Sequence, residues 1–339
     1  MLTKIHQVEV LLPILLPFQN VKDSFERTIK VVDELVSAPV VFPIQSEFLK
    51  SHEIIVEFQI LDNEDERIKL IEKKTLRNHI YIIAQANLEV SNTPIDGKEE
   101  LSTSSELFTG LTVDHFIKRM YDFIICINIA KVGSIEVNYG LTFIDKEKYK
   151  ITNMMISLLE EVYYFTKKTK WPLLEELEIR SVWEWLGEKK GFLDGVGGTP
   201  IERALTALSY LFGSSDESNN EGMDLFYSMI GLEALYCSSN NGIKEQLIEK
   251  TQVFLGTQND YKKLFKRMYD YRSKFIHGSL NFPGKYNIFD AAEEFEHYMS
   301  EYIDVILMAQ SVLISTIQQL SKRNMNYLDF KYSLVNKKS

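Results

Sequence analysis

Residues 271–278 read YRSKFIHG, and they place Arg272 and His277 five positions apart at the end of a predicted helix, directly before Gly278. The guanidinium of an arginine keeps its positive charge and can bind a phosphate through two parallel hydrogen bonds. The imidazole of a histidine gains or loses a proton near neutral pH. Together, these two residue types are suited to phosphate chemistry that needs no metal ion.

The spacing of Arg272 and His277 is awkward for one regular helix, in which positions five apart point about 140° away from each other. Two arrangements bring both side chains to one substrate. The helix can end or distort near Ile276, with Gly278 in the left-handed conformation that glycine favours, or the site can be shared by two subunits. Residues 278–284, GSLNFPG, favour the first arrangement because a helix stop and a turn follow directly.

The surroundings of this motif are basic, although the chain as a whole is acidic. Residues 260–285 contain seven lysines or arginines and only two acidic residues. The full chain of 339 residues has a net charge of −10, so its whole surface is not expected to attract a nucleic-acid backbone. A local basic site around Arg272 and His277 is compatible with this pattern.

The chain from about residue 172 onward is dominated by helical patterns. Thr199, Pro200 and Glu202 form a capping-box signature, and Asp290 with Glu293 forms a second one. Turns or linkers are predicted at residues 191–198 and 214–222, and the tail from residue 322 is polar and basic. The predicted helices cover residues 172–189, 199–212, 224–237, 243–255, 260–277 and 290–320.

The first part of the chain mixes strand and helix patterns. Strands are predicted at residues 7–16, 53–61, 80–90 and 135–143, helices at residues 21–36 and 113–129, and an exposed loop at residues 92–105. We therefore expect an α+β N-terminal domain at residues 1–150. An all-α helical bundle is expected to follow at residues 151–339, with its core at about residues 199–322.

Composition places the chain among ordinary globular proteins, since 45% of its residues are hydrophobic and 25% are charged. Cys126 and Cys237 lie in apolar surroundings and are expected to be free thiols in a reducing compartment. No zinc pattern is present, and we expect no metal and no cofactor. No signal peptide and no uncharged apolar run of 18 residues is found, so a cytoplasmic protein without membrane spans is expected.

The Arg272–His277 spacing resembles the R-x(4–6)-H signature of HEPN domains. Residues 227–236, YSMIGLEALY, resemble the preceding helix of that family. Residues 268–278 resemble the Y-x-x-R-S-x-[hydrophobic]-x-H-G form of the Apea-like HEPN branch, except that the tyrosine register is ambiguous between Tyr269 and Tyr271. The resemblance covers roughly residues 200–320, implies a HEPN-like bundle there, and does not extend to residues 1–150.

The resemblance implies a metal-independent endoribonuclease that forms a homodimer through its helical domain. A ribose 2′-hydroxyl would attack the adjacent phosphorus and leave a 2′,3′-cyclic phosphate, with His277 as general base or acid and Arg272 stabilising the phosphorane. Ser273 would orient His277 or a phosphate. Many relatives are toxins or anti-phage effectors, so a phage or cellular trigger sensed by the N-terminal domain is the expected biological setting.

Further side chains are candidates for supporting roles near this pair. Glu233 either holds Arg272 in position or forms a structural salt bridge, and Asp270 is the other possible partner of Arg272. Lys274 is a second supporting candidate. The predicted RNA-binding residues are Lys263, Lys266 and Arg267.

Several features of this part of the chain also have non-catalytic explanations. An R-x4-H spacing arises by chance, and a histidine at a helix C-terminus is favourable for electrostatic reasons alone. A non-catalytic HEPN-like RNA-binding, dimerisation or regulatory protein is therefore the alternative function. The glycine-rich residues 191–198 lack the lysine of a phosphate-binding loop, and at least one of Trp183 and Trp185 is expected in the core.

Overall fold

The computed structural model describes residues 3–17, 22–44, 52–71, 78–91, 102–156, 159–213, 221–239, 241–279 and 293–331. The chain divides into two compact units. The first unit comprises Met1–Glu160, Glu178–Asp194 and Phe212–Glu217, and the second comprises Glu161–Leu177, Gly195–Leu211 and Ser218–Ser339. The two units therefore alternate along the chain rather than following each other at a single boundary.

The first unit contains a six-stranded antiparallel sheet. Its strands are β1 (Thr3–Leu15), β2 (Val40–Ile44), β3 (His52–Ile60), β4 (His79–Ser91), β5 (Glu136–Ile144) and β6 (Glu147–Ile156), in the order β2-β3-β4-β1-β5-β6. The long β1 lies near the middle and pairs along its whole length with β4. The prediction of an α+β N-terminal part is confirmed, and β6 continues past residue 150 to Ile156.

Ten α-helices lie in the described part of the chain, and the region after the sheet is helical. The helices are α1 (Lys22–Val36), α2 (Ser102–Ala130), α3 (Glu160–Thr169), α4 (Ile179–Gly187), α5 (Lys190–Leu193), α6 (Pro200–Gly213), α7 (Glu221–Tyr236), α8 (Ile243–Leu255), α9 (Lys262–Ile276) and α10 (Glu293–Lys322).

Aromatic side chains form the centre of the first unit's core. The ring of Phe42 on β2 lies 5.1 Å from the rings of both Phe123 on α2 and Trp183 on α4. Trp183 also donates a hydrogen bond from Nε1 to the Val41 carbonyl at 2.8 Å. Full burial of such side chains contributes about 1.5–3 kcal/mol each. Trp183 and Trp185 are both buried, which confirms and extends the expectation that at least one is core.

The second unit is a bundle in which α7, α9 and α10 contact one another. The capping box that begins α6 is confirmed, because Glu202 Oε2 accepts from the Thr199 amide at 2.9 Å and Thr199 Oγ1 accepts from the Glu202 amide at 3.3 Å. Gly231 lies where α7 crosses α10, and a Cβ atom there would come within 2.9 Å of Leu313. The helices are therefore in close contact at that point.

Helix α10 forms the centre of this bundle. Within the described ranges, Ser300–Lys322 is the one stretch with the length and apolar composition of a membrane span. Core helices share these properties, and 78% of its most apolar window is buried. Tyr302, Val305 and Met308 have no exposed surface.

Three expectations about secondary structure are corrected. Residues 172–178 are not helical, and α4 begins only at Ile179. The backbone of Glu175 and Leu173 instead bonds to side chains of α10, Gln318 and Ser315, so these groups have partners outside a helix. Helix α2 begins at Ser102 rather than at residue 113, so residues 102–105 of the predicted loop are helical. Residues 92–101 of that loop lie outside the described residues.

The sequence patterns also left some elements unpredicted. Strands β2 and β6 and helix α3 had no predicted counterpart, and helix α5 occupies residues 191–193 of the predicted turn. The predicted linker at residues 214–220 and Asp290 of the second capping box lie outside the described residues, and α7 begins at Glu221. The remaining predicted elements agree with the structure to within a few residues, and α8 has the predicted bounds.

Candidate functional site

Helix α9 ends in a regular left-handed cap. Gly278 has a φ of +66°, its amide donates to the Phe275 carbonyl at 3.2 Å, and the Ser279 amide donates to the Lys274 carbonyl at 2.9 Å. These two bonds are those of a Schellman motif. The prediction that Gly278 provides a left-handed C-cap is confirmed. The helix remains regular up to His277, whose amide donates to the Ser273 carbonyl at 3.1 Å.

Arg272 lies on the face of α9 that packs against α7. Its Nη2 atom donates to Glu233 Oε2 at 2.9 Å, and its guanidinium lies over the Tyr269 ring at 5.8 Å. The two partners of the ion pair have 21% and 19% of their side chains exposed. The structure therefore selects Glu233, rather than Asp270, as the partner of Arg272, and Asp270 is bonded instead by Lys244 Nζ at 2.5 Å.

Glu233 is an unusual partner because only one of its carboxylate oxygens is satisfied. Glu233 Oε1 is buried and has no hydrogen-bond partner among the described residues. Burial raises the pKa of Glu233, while the positive charge and hydrogen bond of Arg272 act in the opposite direction. Glu233 is thus a partly desolvated carboxylate whose charge depends on Arg272.

His277 lies on the other side of the same helix. At 100° per residue it points roughly 140° away from Arg272, and Lys266 and Lys263 point roughly 120° and 180° away. His277, Lys263 and Lys266 are all exposed. No hydrogen bond or ion pair joins Arg272 to His277 within the described part of the chain. The helix ends at Ile276 as predicted, but α9 stays regular up to its cap, so helical spacing alone directs the two side chains apart and their meeting at one substrate stays a prediction.

The three predicted RNA-binding residues, Lys263, Lys266 and Arg267, lie on one exposed face of α9, which we call the basic face. The same face also carries Lys262, Lys274 and His277. Arg267 pairs with Glu301 of α10, which also accepts a hydrogen bond from the Tyr271 hydroxyl at 2.9 Å. Lys263 and Lys266 form no ion pair with any described residue. Their charge is therefore available to a partner in solution.

The other two candidates near the pair have modest roles in the structure. Lys274 is exposed and lies 5.7 Å from the centre of the Tyr271 ring. Ser273 is half-buried, and its carbonyl accepts the His277 amide. The Ser273 hydroxyl makes no hydrogen bond with a described residue, so a role in orienting His277 stays a prediction.

A row of aromatic rings crosses α6, α7 and α9 beside this site, and the sequence patterns did not reveal it. Tyr210 stacks on Tyr227 with ring centroids 4.9 Å apart and an interplanar angle of 12°. Tyr227 neighbours Phe226 at 6.0 Å, and Phe226 lies 6.2 Å from Phe275. Phe275 immediately follows Lys274 of the basic face. No local signal could have found the row, because its members come from three helices.

Other candidate groups give no further site. In the ranges that the structure describes, no three His, Cys, Asp or Glu side chains lie together as a metal site requires. Cys126 and Cys237 are free, and Cys126 is buried. Burial raises the pKa of the Cys237 thiol to about 11.

No protein-family model matches this chain, and neither a curated protein nor a solved structure is similar enough to match it. The resemblance to HEPN domains therefore rests on the residues of α7 and α9 alone.

Proposed function

We propose that the chain is a metal-independent endoribonuclease of the HEPN type with Arg272 and His277 as its catalytic residues. The observation that carries the proposal is the combination of an exposed histidine at the end of α9 and two exposed lysines on the same helix, Lys263 and Lys266, that form no ion pair with a described residue. Phosphate contacts by Lys263 and Lys266 would hold the RNA strand against α9, and this position brings a phosphodiester to His277.

The chemistry follows from the residue types. His277 would accept the proton of a ribose 2′-hydroxyl as that oxygen attacks the adjacent phosphorus, and a protonated histidine would supply the proton to the leaving 5′-oxygen. A guanidinium such as that of Arg272 would stabilise the negative charge on the phosphorane. The products are a 2′,3′-cyclic phosphate and a 5′-hydroxyl, and DNA is not cleaved because it lacks the attacking group.

The divergence of Arg272 and His277 on one helix favours a site built by two copies of the chain. Within one copy, the two side chains point to opposite sides of α9, so one copy alone offers each phosphate only one of them. A homodimer through the helical unit would let His277 of one copy act beside Arg272 of the other. A toxin or anti-phage role, with a trigger acting through the first unit, completes the proposal.

A second candidate function is a non-catalytic RNA-binding or regulatory protein. The ion pair between Arg272 and Glu233 favours it, because a guanidinium that is already neutralised is less available to a phosphate. This candidate predicts RNA binding without strand cleavage.

The proposal is tested by incubating the purified full chain with a single-stranded oligoribonucleotide in the presence of EDTA. Wild-type protein is expected to cleave it and to leave 2′,3′-cyclic phosphate ends. Replacing His277→Ala is expected to slow cleavage by about 10²–10⁴-fold, the usual contribution of general acid–base catalysis. Cleavage is measured by gel electrophoresis and the ends by mass spectrometry.

The matched control is His79→Ala, which removes a histidine on β4 in the first unit and is expected to cleave at the wild-type rate. A substrate with 2′-deoxyribose at the cleavage site is expected to stay intact. Equal cleavage by wild type and His277→Ala would contradict the catalytic assignment. Binding without any cleavage by the wild type would favour the second candidate.

A further inference from the structure

Tyr210 presents an aromatic ring with an unusual degree of support for a surface residue. Its side chain is 57% exposed, yet one face of the ring stacks on Tyr227 at an interplanar angle of 12°. Single exposed tyrosines are common on helices and need no explanation. Here stacking on Tyr227 restricts the rotation of the Tyr210 ring, so this ring is preorganised to stack on a flat ligand.

The row continues from this ring to the side of α9 that carries Arg272. The Tyr227 ring neighbours that of Phe226 on the same helix, and the Phe226 ring neighbours that of Phe275 on α9. Phe275 lies about 60° from Arg272 around α9 and about 160° from His277, so within one copy the row reaches the Arg272 side of the helix. Phe226 and Glu233 lie seven positions apart on α7 and therefore within about 20° of each other. The row and the Arg272–Glu233 pair thus belong to one stripe of α7.

Basic side chains lie on the helices at both ends of the row. Lys274 precedes Phe275 and is exposed. Arg203 lies seven positions before Tyr210 on α6, on the same face of that helix, and its Nη1 atom donates to the Gly198 carbonyl at 2.8 Å. A series of aromatic rings flanked by cations is the arrangement that binds single-stranded nucleic acid, because bases stack on the rings while cations contact the phosphates.

We propose that the row formed by Tyr210, Tyr227, Phe226 and Phe275 is a stacking platform for unpaired bases of the RNA, with Tyr210 as the ring that contacts a base. This inference rests on the proposed function and specifies its substrate class as single-stranded RNA. Duplex RNA keeps its base faces inside the helix, so it would meet only the cations.

The experiment measures binding rather than cleavage, so it does not depend on the catalytic assignment. A fluorescein-labelled, 2′-O-methyl single-stranded oligonucleotide lacks the attacking hydroxyl and can be titrated with the intact full chain by fluorescence anisotropy. Tyr210→Ala is expected to weaken binding about tenfold, the loss that removal of one stacking ring produces. Tyr210→Phe keeps the ring and is expected to bind within twofold of the wild type.

Two controls separate stacking from general effects. Tyr327→Ala removes another tyrosine that is 65% exposed but lies outside the row, and it is expected to leave binding unchanged. A 2′-O-methyl duplex of the same sequence is expected to bind Tyr210→Ala and wild type equally. Circular dichroism of each variant checks that the fold is retained.

The outcomes distinguish this inference from the proposed nuclease. Wild-type affinity in Tyr210→Ala overturns the platform and leaves the nuclease proposal intact if the chain still cleaves RNA. Loss of affinity in Tyr210→Ala supports the platform even if His277→Ala cleaves normally. If Tyr210→Ala changes the mass measured by light scattering and not the RNA affinity, the face is a contact between copies and the platform is wrong.

Discussion

Glu233 is a partly buried carboxylate, and its negative charge depends on the ion pair with Arg272. A carboxylate in water needs no partner, but the partly buried Glu233 has one oxygen with no hydrogen bond and the other bonded to Arg272. Removing one member of such a pair leaves the other charge desolvated, which costs more than the pair itself contributes. A change at Arg272 is therefore expected to affect the stability of the fold as well as the proposed chemistry.

We expect Arg272→Ala to lower the free energy of unfolding by about 1–3 kcal/mol at pH 7. Burial raises the pKa of Glu233 above its ordinary value of 4.5, so the folded chain takes up this proton at a higher pH than the unfolded chain. The unfavourable contribution of the charged carboxylate is complete above the folded pKa and disappears as the pH falls through it. The cost of Arg272→Ala is therefore expected to shrink between pH 7 and pH 4.5.

Urea denaturation of both proteins at the two pH values measures this difference. Glu233→Gln is the matched background, because a neutral amide needs no counter-charge. In the Glu233→Gln background, Arg272→Ala is expected to lower the free energy of unfolding by less, and this loss is expected not to depend on pH. A cost that is the same at both pH values would show that Arg272 acts through packing rather than through the charge of Glu233.

The sequence predicted this site in part. The spacing of Arg272, His277 and Gly278 identified the cap correctly, because a glycine after a helical pattern is a local signal. The choice between Glu233 and Asp270 was beyond local reasoning, since it depends on which face of α9 contacts α7. The same limit applies to Tyr210 and Tyr227, which meet only because two helices pack.

At the scale of elements, the crossing of α7 and α10 depends on the absence of a side chain at Gly231. Leu313, the residue that a Cβ atom would meet at 2.9 Å, has no exposed surface. It therefore cannot turn outward to make room. Close-packed interiors respond to added volume with strained rotamers or shifted backbones.

Gly231→Ala is expected to lower the free energy of unfolding by about 1–3 kcal/mol because of this overlap. Thermal and urea denaturation measure the change. Gly187→Ala at the end of α4 is the matched control, because no atom lies within 4 Å of its Cβ position. Alanine favours the helical backbone over glycine, so this control is expected to lose no stability and to gain up to about 1 kcal/mol. A stable Gly231→Ala would mean that α10 shifts at little cost.

Elements with strong local signals were predicted well, and elements that depend on their neighbours were not. Capping residues and apolar periodicity identified α6 to α9, whereas β6 carries polar residues on an edge of the sheet and lacks a clear alternation. Residues 172–178 follow a helical pattern in sequence but are not helical, and α10 side chains bind their backbone. Tertiary hydrogen bonds override propensity there.

At the scale of the whole molecule, charge is unevenly distributed. A net charge of −10 repels a nucleic-acid backbone at long range, so under the proposed function Lys263 and Lys266, which form no ion pair with a described residue, would supply the attraction. Binding to such a local face depends on the release of counterions from the few phosphates that it contacts.

We therefore expect RNA binding to weaken with salt, and Lys263→Ala and Lys266→Ala each to reduce the slope of log affinity against log salt by about 0.7. Anisotropy titrations at several salt concentrations measure the slope. Lys22→Ala, which removes an exposed lysine of α1 in the first unit, is expected to leave it unchanged. An unchanged slope in the Lys263 and Lys266 variants would place the RNA on another surface.

The alternation of the two units along the chain has a consequence for synthesis on the ribosome. The six strands and α2 emerge first, but Trp183, whose ring packs against Phe42 and Phe123, belongs to a segment that follows residues 161–177 of the second unit. The aromatic cluster around Phe42 therefore lacks Trp183 until part of the second unit has already emerged. A gene fragment ending at residue 160 encodes the whole sheet without the tryptophan that closes its core.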